Sequence, residues 1–555
     1  MKIRNWTALL LAAAITVALP ACGKIPAGHV AEIEYMAVPV NDWTKETDLL
    51  KSGRISMISG NLTVAESISL KEQEGISLIS TKGSYTMDCV FFNMRRSPCN
   101  EPIFRKAVAS AINREYITQT LLQKSIDSCD TFVPPLSKQW TDQGAKAPGF
   151  DIAKTRMLLN EAGYTLDQAT GKRLDPKTGM PLKLTLLTPV KTEDPVRWSI
   201  GYTLAYYLNA MGVETEHMAF SKNTLNRITM ESREYDILIG EITMAAEPYG
   251  LYPLLHSSAD KIQTFAYSGL HDDDVDKNLE ILWTSRDEQE AMTAAKSVQD
   301  RLAELLPYAP VCMKPDYMAV NGDWKGIADM PGEGAWNLWS SLSMYPAGER
   351  EVGILKIAAP GGIINLNPLL DHTAAEWDVL KRIYSPLFYP DQKSFNNTPV
   401  IAKDWVVEDW TDPDGREGMK VVFHLKEGIT WHDGEPFTSE DIKFCLDYLK
   451  ANQVPLYKTT TDIVSNVQVP NDATVEIYLT DQGYRHIYEL AGMTFLPQHI
   501  WKDVKDYKKF EPWAIKGAKE GTTKLVGQGP FILQGVDSRK GAKLIWNPDY
   551  VQPAE

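Results

Sequence analysis

The chain has 555 residues, of which 44% are hydrophobic and 23% are charged, and its formal net charge is −15. A single core stops growing at roughly 250–300 residues, so this length predicts two or three domains. The acidic balance argues against a nucleic-acid-binding surface, which needs clustered Lys and Arg. It is typical of a soluble protein kept apart by self-repulsion.

The N-terminus has the pattern of a secretory signal. Lys2 and Arg4 precede an apolar run over 6–19, which is too short to cross a bilayer comfortably, so residues 1–22 are predicted to be a signal peptide. Its end, "LPAC", resembles a bacterial lipobox, which would make Cys22 the lipidated first residue of the mature protein. Residues 23–30 follow as a short polar tether. The alternative is ordinary secretory cleavage with a free Cys22.

The next elements alternate between strands and helices, which predicts the α/β class. Helical spacing of apolar residues favours one helix over 101–123 and a second over 151–164, with Asp151 as N-cap and Gly163 as the stop. The run "HDDDVD" at 271–276 lacks the alternating spacing of a calcium loop, so it is interpreted as a helix cap. Further strands are predicted near 33–40, 182–189, 235–242 and 354–360, and further helices near 196–211 and 375–389.

Five cysteines follow Cys22, and none of them forms a C-x-x-C pair, so a zinc or thioredoxin-like site is unsupported. Cys99 and Cys129 flank a helical stretch and could form a disulfide in an oxidising compartment. The alternative is that all five are free and mostly buried.

The stretch "VVFHLKEGITWHDGEPFTSEDIKF" at 421–444 predicts a strand, a turn and a helix. Thr438 as N-cap with Asp441 three residues later resembles a capping box. His424 and His432 are eight residues apart without a third ligand nearby, so we interpret them as structural and predict no metal site.

This stretch closely resembles the signature "F-x-L-R-x-G-V-K-W-H-D-G-x-P-F-T-A-x-D-V" of the bacterial family 5 extracellular solute-binding proteins. These are the oligopeptide-, dipeptide- and nickel-binding receptors of ABC importers. "LNPLLD", "IYSPLFYPD", "FLPQHIW", "VGQGPFIL" and "WNPDY" are similar to segments of the family's first half. "DLLKSGRISM", "FRKAVASAINREYI", "DIAKTRMLLNEAGY" and "REYDILIGEITMAAEPYGLYPLLHSS" are similar to segments of its second half.

The two halves stand in exchanged order, because the second-half motifs come first in this chain. The simplest interpretation is a circular permutant, in which residues 346–353 join the family's usual termini. A fragment of a tandem array, or a misassembled gene, is the competing explanation.

The resemblance implies a class II periplasmic-binding-protein-like fold of two α/β lobes, joined by crossing strands at 85–93 and 307–313, with an extra inserted domain. Mapped here, lobe one comprises 29–92, 310–397 and 510–555, lobe two comprises 93–309, and the inserted domain comprises 398–509. The family's ligand-binding Asp corresponds to Met244, which carries no charge. The candidate cleft residues are Met244, Glu247, Tyr249, Asp371, His372 and Trp377.

The implied function is that of a lipid-anchored, extracytoplasmic, monomeric receptor that delivers a peptide or similar solute to an ABC importer permease, without a cofactor. An oligosaccharide-binding or sensory protein of the same fold is the alternative. A hydrolase is disfavoured because G-x-S-x-G, H-E-x-x-H and the P-loop pattern are all absent.

Overall fold

A computed structural model describes residues 30–39, 43–59, 62–80, 84–330, 332–347, 353–391, 397–518, 521–537 and 541–553. The predicted signal peptide with Cys22, the tether up to residue 29 and residues 348–352 of the predicted linker lie outside these ranges. Within them, no helix is both long enough and apolar enough to cross a membrane.

Lobe one is built on a seven-stranded sheet whose strands come from three separate parts of the chain. At its centre, Glu32–Val38 pairs in parallel with Ile354–Pro360 and antiparallel with Gly541–Trp546. In spatial order the strands are Phe531–Asp537, Gly541–Trp546, Glu32–Val38, Ile354–Pro360, Met57–Ile58, Tyr317–Asn321 and Ile76–Ser80. The helices of this lobe are Trp43–Lys51, Val64–Lys71, Leu338–Ser343 and Ala374–Ile383. Two short ribbons, Trp324–Lys325 with Tyr345–Pro346 and Phe388–Pro390 with Asn397–Pro399, complete it.

Lobe two is built on a five-stranded mixed sheet in the order Glu214–Phe220, Lys183–Pro189, Ile237–Thr243, Thr86–Phe92 and Tyr308–Met313. Its helices are Pro102–Ser110, Ile152–Glu161, Pro195–Ala210, Lys222–Arg227, Leu251–Leu255, Asp273–Thr284 and Glu288–Leu305. The strand Thr86–Phe92, which we assigned to lobe one, pairs along its whole length with Ile237–Thr243. It therefore lies in the lobe-two sheet, and so does Tyr308–Met313, which the expected boundary at 309 divides.

The two lobes are connected by a two-stranded crossing. Ile76–Ser80 and Tyr317–Asn321 pair antiparallel in lobe one, and their continuations Thr86–Phe92 and Tyr308–Met313 pair antiparallel in lobe two. Between them, the Ser84 amide donates to the Lys314 carbonyl at 3.0 Å. Two adjacent chain crossings of this kind permit hinge motion while keeping the lobes in register.

A third unit, the inserted domain, contains a four-stranded antiparallel sheet in the order Ala402–Thr411, Glu417–Leu425, Thr474–Leu479 and Val464–Asn471. Its helices are Ser439–Ala451, Lys458–Ile463, Arg485–Ala491 and Gln498–Trp501. Its apolar residues share one core with lobe one, which includes Val30, Leu355, Phe423 and Leu544. The lobe-two core is separate.

Several local signals are confirmed. The Asp151 carboxylate caps its helix by accepting the Lys154 amide at 2.8 Å, and Gly163 has a positive φ of 86°. Asp272 caps the helix that follows the acidic run, accepting the Val275 amide at 3.1 Å.

The helix predicted over 101–123 is divided in the structure. An α-helix ends at Ser110, and a separate π-helical turn, Tyr116–Leu121, follows. Between them the buried Arg114 points inward, and its Nε donates to the Pro310 carbonyl at 2.8 Å. The hydrogen bonds of this buried guanidinium anchor the chain to the lobe-two sheet. The apolar periodicity alone does not indicate this anchor.

The 421–444 stretch forms the predicted strand, turn and helix. The buried His432 ring interacts through Nε2 with the Gly529 carbonyl at 3.0 Å, and its Nδ1 accepts the Gly527 amide at 3.3 Å. Asp441 accepts the amides of Thr438 and Gln498, both at 3.0 Å. His424 lies on the strand and pairs with Asp404. These histidines hold the turn and the sheet, and no metal-binding cluster occurs among the described residues.

The five cysteines within the described ranges are all free and buried, including Cys99 and Cys129. The structure thus has the free-thiol alternative rather than the disulfide.

Candidate binding cleft

Three neighbouring cavities form the cleft region: one lies within lobe one, and two lie where lobe one, lobe two and the inserted domain meet. We call them the lobe-one cavity (about 1170 Å³), the central cavity (about 510 Å³) and the side pocket (about 200 Å³). Trp377 and Lys381 line both of the first two, and Glu247 and Tyr488 line both of the last two. The shared walls make one continuous cleft.

The lobe-one wall of the central cavity carries two basic residues, Lys381 and Arg382, and one acidic residue, Glu333, which accepts the Tyr389 hydroxyl at 3.0 Å. Lys381 and Arg382 come from the last turn of Ala374–Ile383. Arg382 is buried and donates to Asp378 at 3.0 Å, and its guanidinium stacks over the Trp336 ring at 4.5 Å. Its Nε has no hydrogen-bond partner among the described residues. Lys381 is exposed to the cleft, so this wall offers N–H donors to an anionic group.

Asp378 fixes that wall by accepting three hydrogen bonds. Besides Arg382, it accepts the Tyr35 hydroxyl at 2.8 Å and the Trp336 indole N–H at 2.7 Å. Because one carboxylate orients all three side chains, the Arg382 guanidinium is held in place before any ligand arrives.

The lobe-two wall is the loop that follows Ile237–Thr243, and its charge is opposite. Met244 and Glu247 line the central cavity from this loop, and the Met244 amide is anchored to the Tyr85 carbonyl at 3.0 Å. Burial, with a smaller effect of the neighbouring Glu288, raises the pKa of Glu247 to about 7. No basic side chain in the described ranges is paired with Glu247.

The side pocket adjoins Glu247 on the side away from the central cavity. Its lining combines the carboxylates of Glu247 and Glu288 with four aromatic residues: Tyr85, Trp140, Trp405 and Tyr488. The Tyr488 hydroxyl donates to Glu288 at 2.6 Å. Burial raises the pKa of Tyr85, and Glu247 adds to the effect.

The inserted domain also touches lobe two beside this pocket. The Tyr484 amide donates to the Ser285 carbonyl at 2.7 Å, and the Arg485 guanidinium lies 4.2 Å from the centre of the Trp283 ring. Arg485 Nε donates to the Trp283 carbonyl at 3.2 Å. These contacts join lobe two to the inserted domain, in addition to the strand crossing that joins it to lobe one.

The six candidate residues fall in different environments. Met244, Glu247 and Trp377 line the cleft. Tyr249 packs against Trp140 with ring centres 5.7 Å apart, and its hydroxyl has no partner among the described residues. The His372 side chain is fully buried and its Nε2 contacts the Asn367 carbonyl at 2.7 Å. Asp371 is exposed in the preceding loop.

Sequence reasoning missed Lys381, Arg382, Glu288, Tyr488 and Tyr85 as cleft residues. In the sequence, Lys381 and Arg382 are ordinary basic residues in the last turn of an amphipathic helix, and Glu288 is an acid in a first turn. Only the tertiary fold brings them to one cavity.

Two α/β lobes joined by a double crossing, with a charged cleft between them, define the class of two-lobe binding proteins that close on a ligand by hinge motion. The model of the bacterial extracellular solute-binding proteins, family 5 Middle, matches residues 23–261 and 397–555. The chain therefore belongs to family 5 of the bacterial extracellular solute-binding proteins, a family of binders rather than enzymes. This confirms the predicted family and the two-lobe α/β fold.

Two curated relatives illustrate the likeness. A putative ABC transporter peptide-binding protein of Brucella ovis is 28% identical over 193 residues, which is 34% of this chain and 34% of the relative. A periplasmic alpha-galactoside-binding protein of Rhizobium meliloti is 30% identical over 215 residues, which is 36% of this chain and 26% of the relative. The matched region spans about a third or less of each relative.

Two solved structures show a partial likeness to this chain. The oligopeptide-binding protein AppA of Bacillus subtilis, in complex with a nonapeptide, matches with a TM-score of 0.46 and 18% identity, over 55% of this chain and 59% of that chain. NikZ of Campylobacter jejuni, in complex with Ni(L-His), matches with a TM-score of 0.45 and 19% identity, over 54% of this chain and 59% of that chain.

Proposed function

We propose that this protein is the solute receptor of an ABC importer, held at the outer face of the membrane through a lipid on Cys22, and that it binds a peptide-like solute. Membership of family 5 supports the receptor role, and the lipobox-like "LPAC" supports the anchor. The cleft supports the ligand class.

The observation that carries the ligand class is the opposite charge on the two walls of the central cavity. Lys381 and Arg382 reach it from lobe one, beside the hydrogen-bonded Glu333, and Glu247 is the charged residue that reaches it from lobe two. A solute with an anionic and a cationic group would bind both walls at once and so favour the closed state, because a ligand shifts an equilibrium only through its differential affinity. Peptides have this dipolar character, and a cavity of about 510 Å³ falls in the usual range for small-ligand sites.

Native mass spectrometry of the purified protein, followed by thermal unfolding with a dipeptide-to-pentapeptide series, tests this function. We expect a carried-over or added peptide to bind with 1:1 stoichiometry and to raise Tm, as mass action requires. Turnover of the peptide, or no effect of any peptide on Tm, would contradict the proposal.

Oligosaccharide binding is the second candidate. The α-galactoside-binding relative favours it, as do Trp336, Trp377 and Tyr389 in the wall of the lobe-one cavity, because aromatic faces suit sugar rings. Adding raffinose or melibiose in the same thermal assay separates the two: a rise in Tm with the sugars and none with peptides would establish the alternative.

The lipid anchor is tested independently of the ligand. We expect membrane fractions of the expressing bacterium to contain the protein with a diacylglyceryl group on Cys22, detected on the N-terminal peptide by mass spectrometry. Cys22→Ser should release the protein from the membrane. An unmodified, soluble wild-type N-terminus would contradict the anchor.

We also propose that the chain order is a circular permutation of the family order. In support, the lobe-one sheet joins Glu32–Val38 with Ile354–Pro360 and Gly541–Trp546, so the exchanged halves fold together within one molecule. A variant in which 353–553 precedes 30–347 through a Gly-Ser linker should fold with the same Tm and bind the same solute. If instead the original chain is molten or domain-swapped and only the reordered variant is a folded monomer, the tandem-fragment explanation holds.

A further inference from the structure

The side pocket has a composition that the proposed function does not explain. A peptide backbone held between Lys381 and Glu247 would occupy the central cavity, while the side pocket continues beyond Glu247. Its volume of about 200 Å³ is below the usual range for sites that hold a whole ligand, and it is suited to one side chain of a solute.

Two carboxylates, those of Glu247 and Glu288, converge on this pocket. The groups that shift the pKa of Glu247 are its burial, its own backbone and Glu288, and no cation is among them. Glu288 accepts the neutral Tyr488 hydroxyl at 2.6 Å and is also hydrogen-bonded to the neutral Tyr484 side chain. Lys138 lies in the exposed part of the lining and does not contribute to the Glu247 shift. Two like charges near each other in a partly desolvated site are unfavourable unless a cation joins them.

Four aromatic residues complete the walls. Tyr85 and Trp140 come from lobe two, and Trp405 and Tyr488 come from the inserted domain. Aromatic faces attract ammonium and guanidinium groups within about 6 Å of the ring centre, most strongly where water is excluded. Carboxylates and rings around a small volume therefore select for positive charge twice, by ion pairing and by cation–π attraction.

We infer that the side pocket binds an ammonium or guanidinium group of the solute, with Glu247 and Glu288 as counter-ions and the four aromatic side chains as its walls. This rests on the proposed function, since the pocket shares Glu247 and Tyr488 with the central cavity of the solute cleft. It narrows the solute class to organic cations, such as peptides with a basic side chain or polyamines.

The pocket also couples binding to closure. Trp405, Tyr488 and Glu288 reach it from the two sides of the contact between the inserted domain and lobe two. A cation seated there touches both units, so it stabilises the closed cleft directly.

The first test compares matched probes on the wild-type protein. Isothermal titration is performed with the tripeptides Ala-Lys-Ala and Ala-(acetyl-Lys)-Ala, which differ by one charge, and with spermidine. We expect the lysine peptide to bind about ten-fold or more tightly than its acetylated form, as for a charge-assisted hydrogen bond. Equal affinity for the two peptides would overturn the subsite while leaving the receptor function intact. Tight binding of spermidine alone would identify the solute as a polyamine.

The second test uses Glu247→Gln, which keeps the shape and removes the charge. It should lower the ratio of the two affinities, lysine peptide over acetylated peptide, to near one, because any loss at the shared α-ammonium is common to both peptides. Glu231→Gln is the matched control, because Glu231 is exposed on lobe two and outside the three cavities. An equal loss of preference in both variants would show that the preference comes from the overall negative charge of the protein and not from the side pocket.

Carried-over solute gives an independent readout. Native mass spectrometry followed by fragmentation should reveal a solute with an amine or guanidinium group beyond any α-ammonium. A bound neutral or purely anionic solute overturns the inference. If no carried-over solute is found and neither peptide nor spermidine binds, the inference and the peptide-receptor function fail together.

Discussion

At the scale of single residues, burial in the cleft shifts the titration of the Glu247 carboxylate towards neutral pH. Its pKa is raised to about 7, first by burial and then by Glu288. A cationic solute binds the ionised form, so proton release accompanies binding whenever Glu247 is protonated in the empty cleft. The affinity for a cationic solute therefore depends on pH near neutrality, whereas most carboxylates titrate at a much lower pH.

We predict that affinity for a cationic solute increases as pH rises from about 5.5 to 7 and is flat above about 8. Below the pKa, each pH unit lowers the affinity by up to about ten-fold, because a proton must leave before the cation binds. Titration calorimetry in two buffers of different ionisation enthalpy measures both the affinity and the proton release. Glu247→Gln should flatten the profile, and a wild-type profile that is already flat would contradict the assignment.

Asp88 gives a residue-scale prediction about stability rather than binding. It is 4% exposed on Thr86–Phe92, and burial, with smaller effects of Asp194 and Glu241, raises its pKa to about 7, while Arg197 opposes the shift. The folded state therefore holds this proton more tightly than the unfolded state. Between about pH 4 and 7, the free energy of unfolding falls as pH rises, by up to about 1.4 kcal/mol per pH unit.

Asp88→Asn removes this titration, so the mutant and wild-type profiles should diverge across that window and run parallel above pH 8. Urea unfolding at pH 4.5, 6, 7 and 8 measures the difference. Parallel profiles over the whole range would show that Asp88 has an ordinary pKa. Asp194→Asn is a useful comparison, since the Arg197–Asp194 pair, at 2.8 Å, lies beside the same site.

At the scale of elements, Asp441 shows how a local signal serves a tertiary purpose. As the sequence predicts, it stands in the first turn of Ser439–Ala451 and accepts the Thr438 amide. It also accepts the Gln498 amide at 3.0 Å and the Trp431 indole N–H at 3.3 Å. One carboxylate thus joins a helix start, the preceding turn and a second helix.

Asp441→Ala should lower the free energy of unfolding by about 2–4 kcal/mol, because the buried Trp431 indole and two partly buried amides lose their acceptor. Glu440→Ala, an exposed neighbour in the same turn, should change it by less than about 0.5 kcal/mol. Chemical denaturation measures both. Equal small effects would mean that water replaces the carboxylate at these donors.

Elements were predictable from the sequence where the signal is local. Asp151, Gly163, Asp272 and Thr438 mark helix ends through side chains and φ angles that act within a few residues. The helix over 101–123 was not predictable, because Arg114 divides it by reaching a carbonyl almost 200 positions away in the chain.

The cleft residues, too, were predictable only where a local sequence signal marks them. The segment 244–249 was predicted to face it because the segment follows a strand whose motif could be identified. Lys381, Arg382 and Glu288 have helical contexts that explain them without any cleft. Their convergence depends on how the lobes and the inserted domain pack, and no spacing in the sequence encodes that.

At the scale of the whole molecule, closure of the cleft depends on the strand crossing and on the contact between the inserted domain and lobe two. Arg485 is central to that contact, with its guanidinium over Trp283 and its Nε on the Trp283 carbonyl. A cation–π contact at a largely desolvated place is worth about 1–2 kcal/mol.

Arg485→Met keeps the volume and removes the guanidinium, so the unliganded protein should be more open. We expect a larger radius of gyration in small-angle X-ray scattering and a solute affinity lowered about three- to ten-fold. Arg416→Met is the control, because Arg416 is exposed and pairs with Asp412 and Asp414 within the inserted domain. An unchanged radius and affinity in Arg485→Met would place the control of closure in the strand crossing alone.

The lobe-one sheet is formed by two parts of the chain, residues 30–347 and residues 353–553. Residues 30–347 contribute four of its strands and residues 353–553 contribute three, and the longest parallel pairing, seven residue pairs between Glu32–Val38 and Ile354–Pro360, joins the two parts. They also share one buried core, with Tyr35 and Met318 from the first part and Ile357 and Leu544 from the second. Burying that much apolar surface should hold the parts together without a covalent link.

A protease site introduced at 348–352 therefore should allow complete cleavage without dissociation. The two fragments are expected to co-elute as a 1:1 complex in gel filtration at micromolar concentration and to retain solute binding. Cleavage in 6 M urea followed by direct gel filtration in urea provides the control for separation. Fragments that part under native conditions would show that the sheet is held together mainly by the connection, and that the two parts of the chain are not one folding unit.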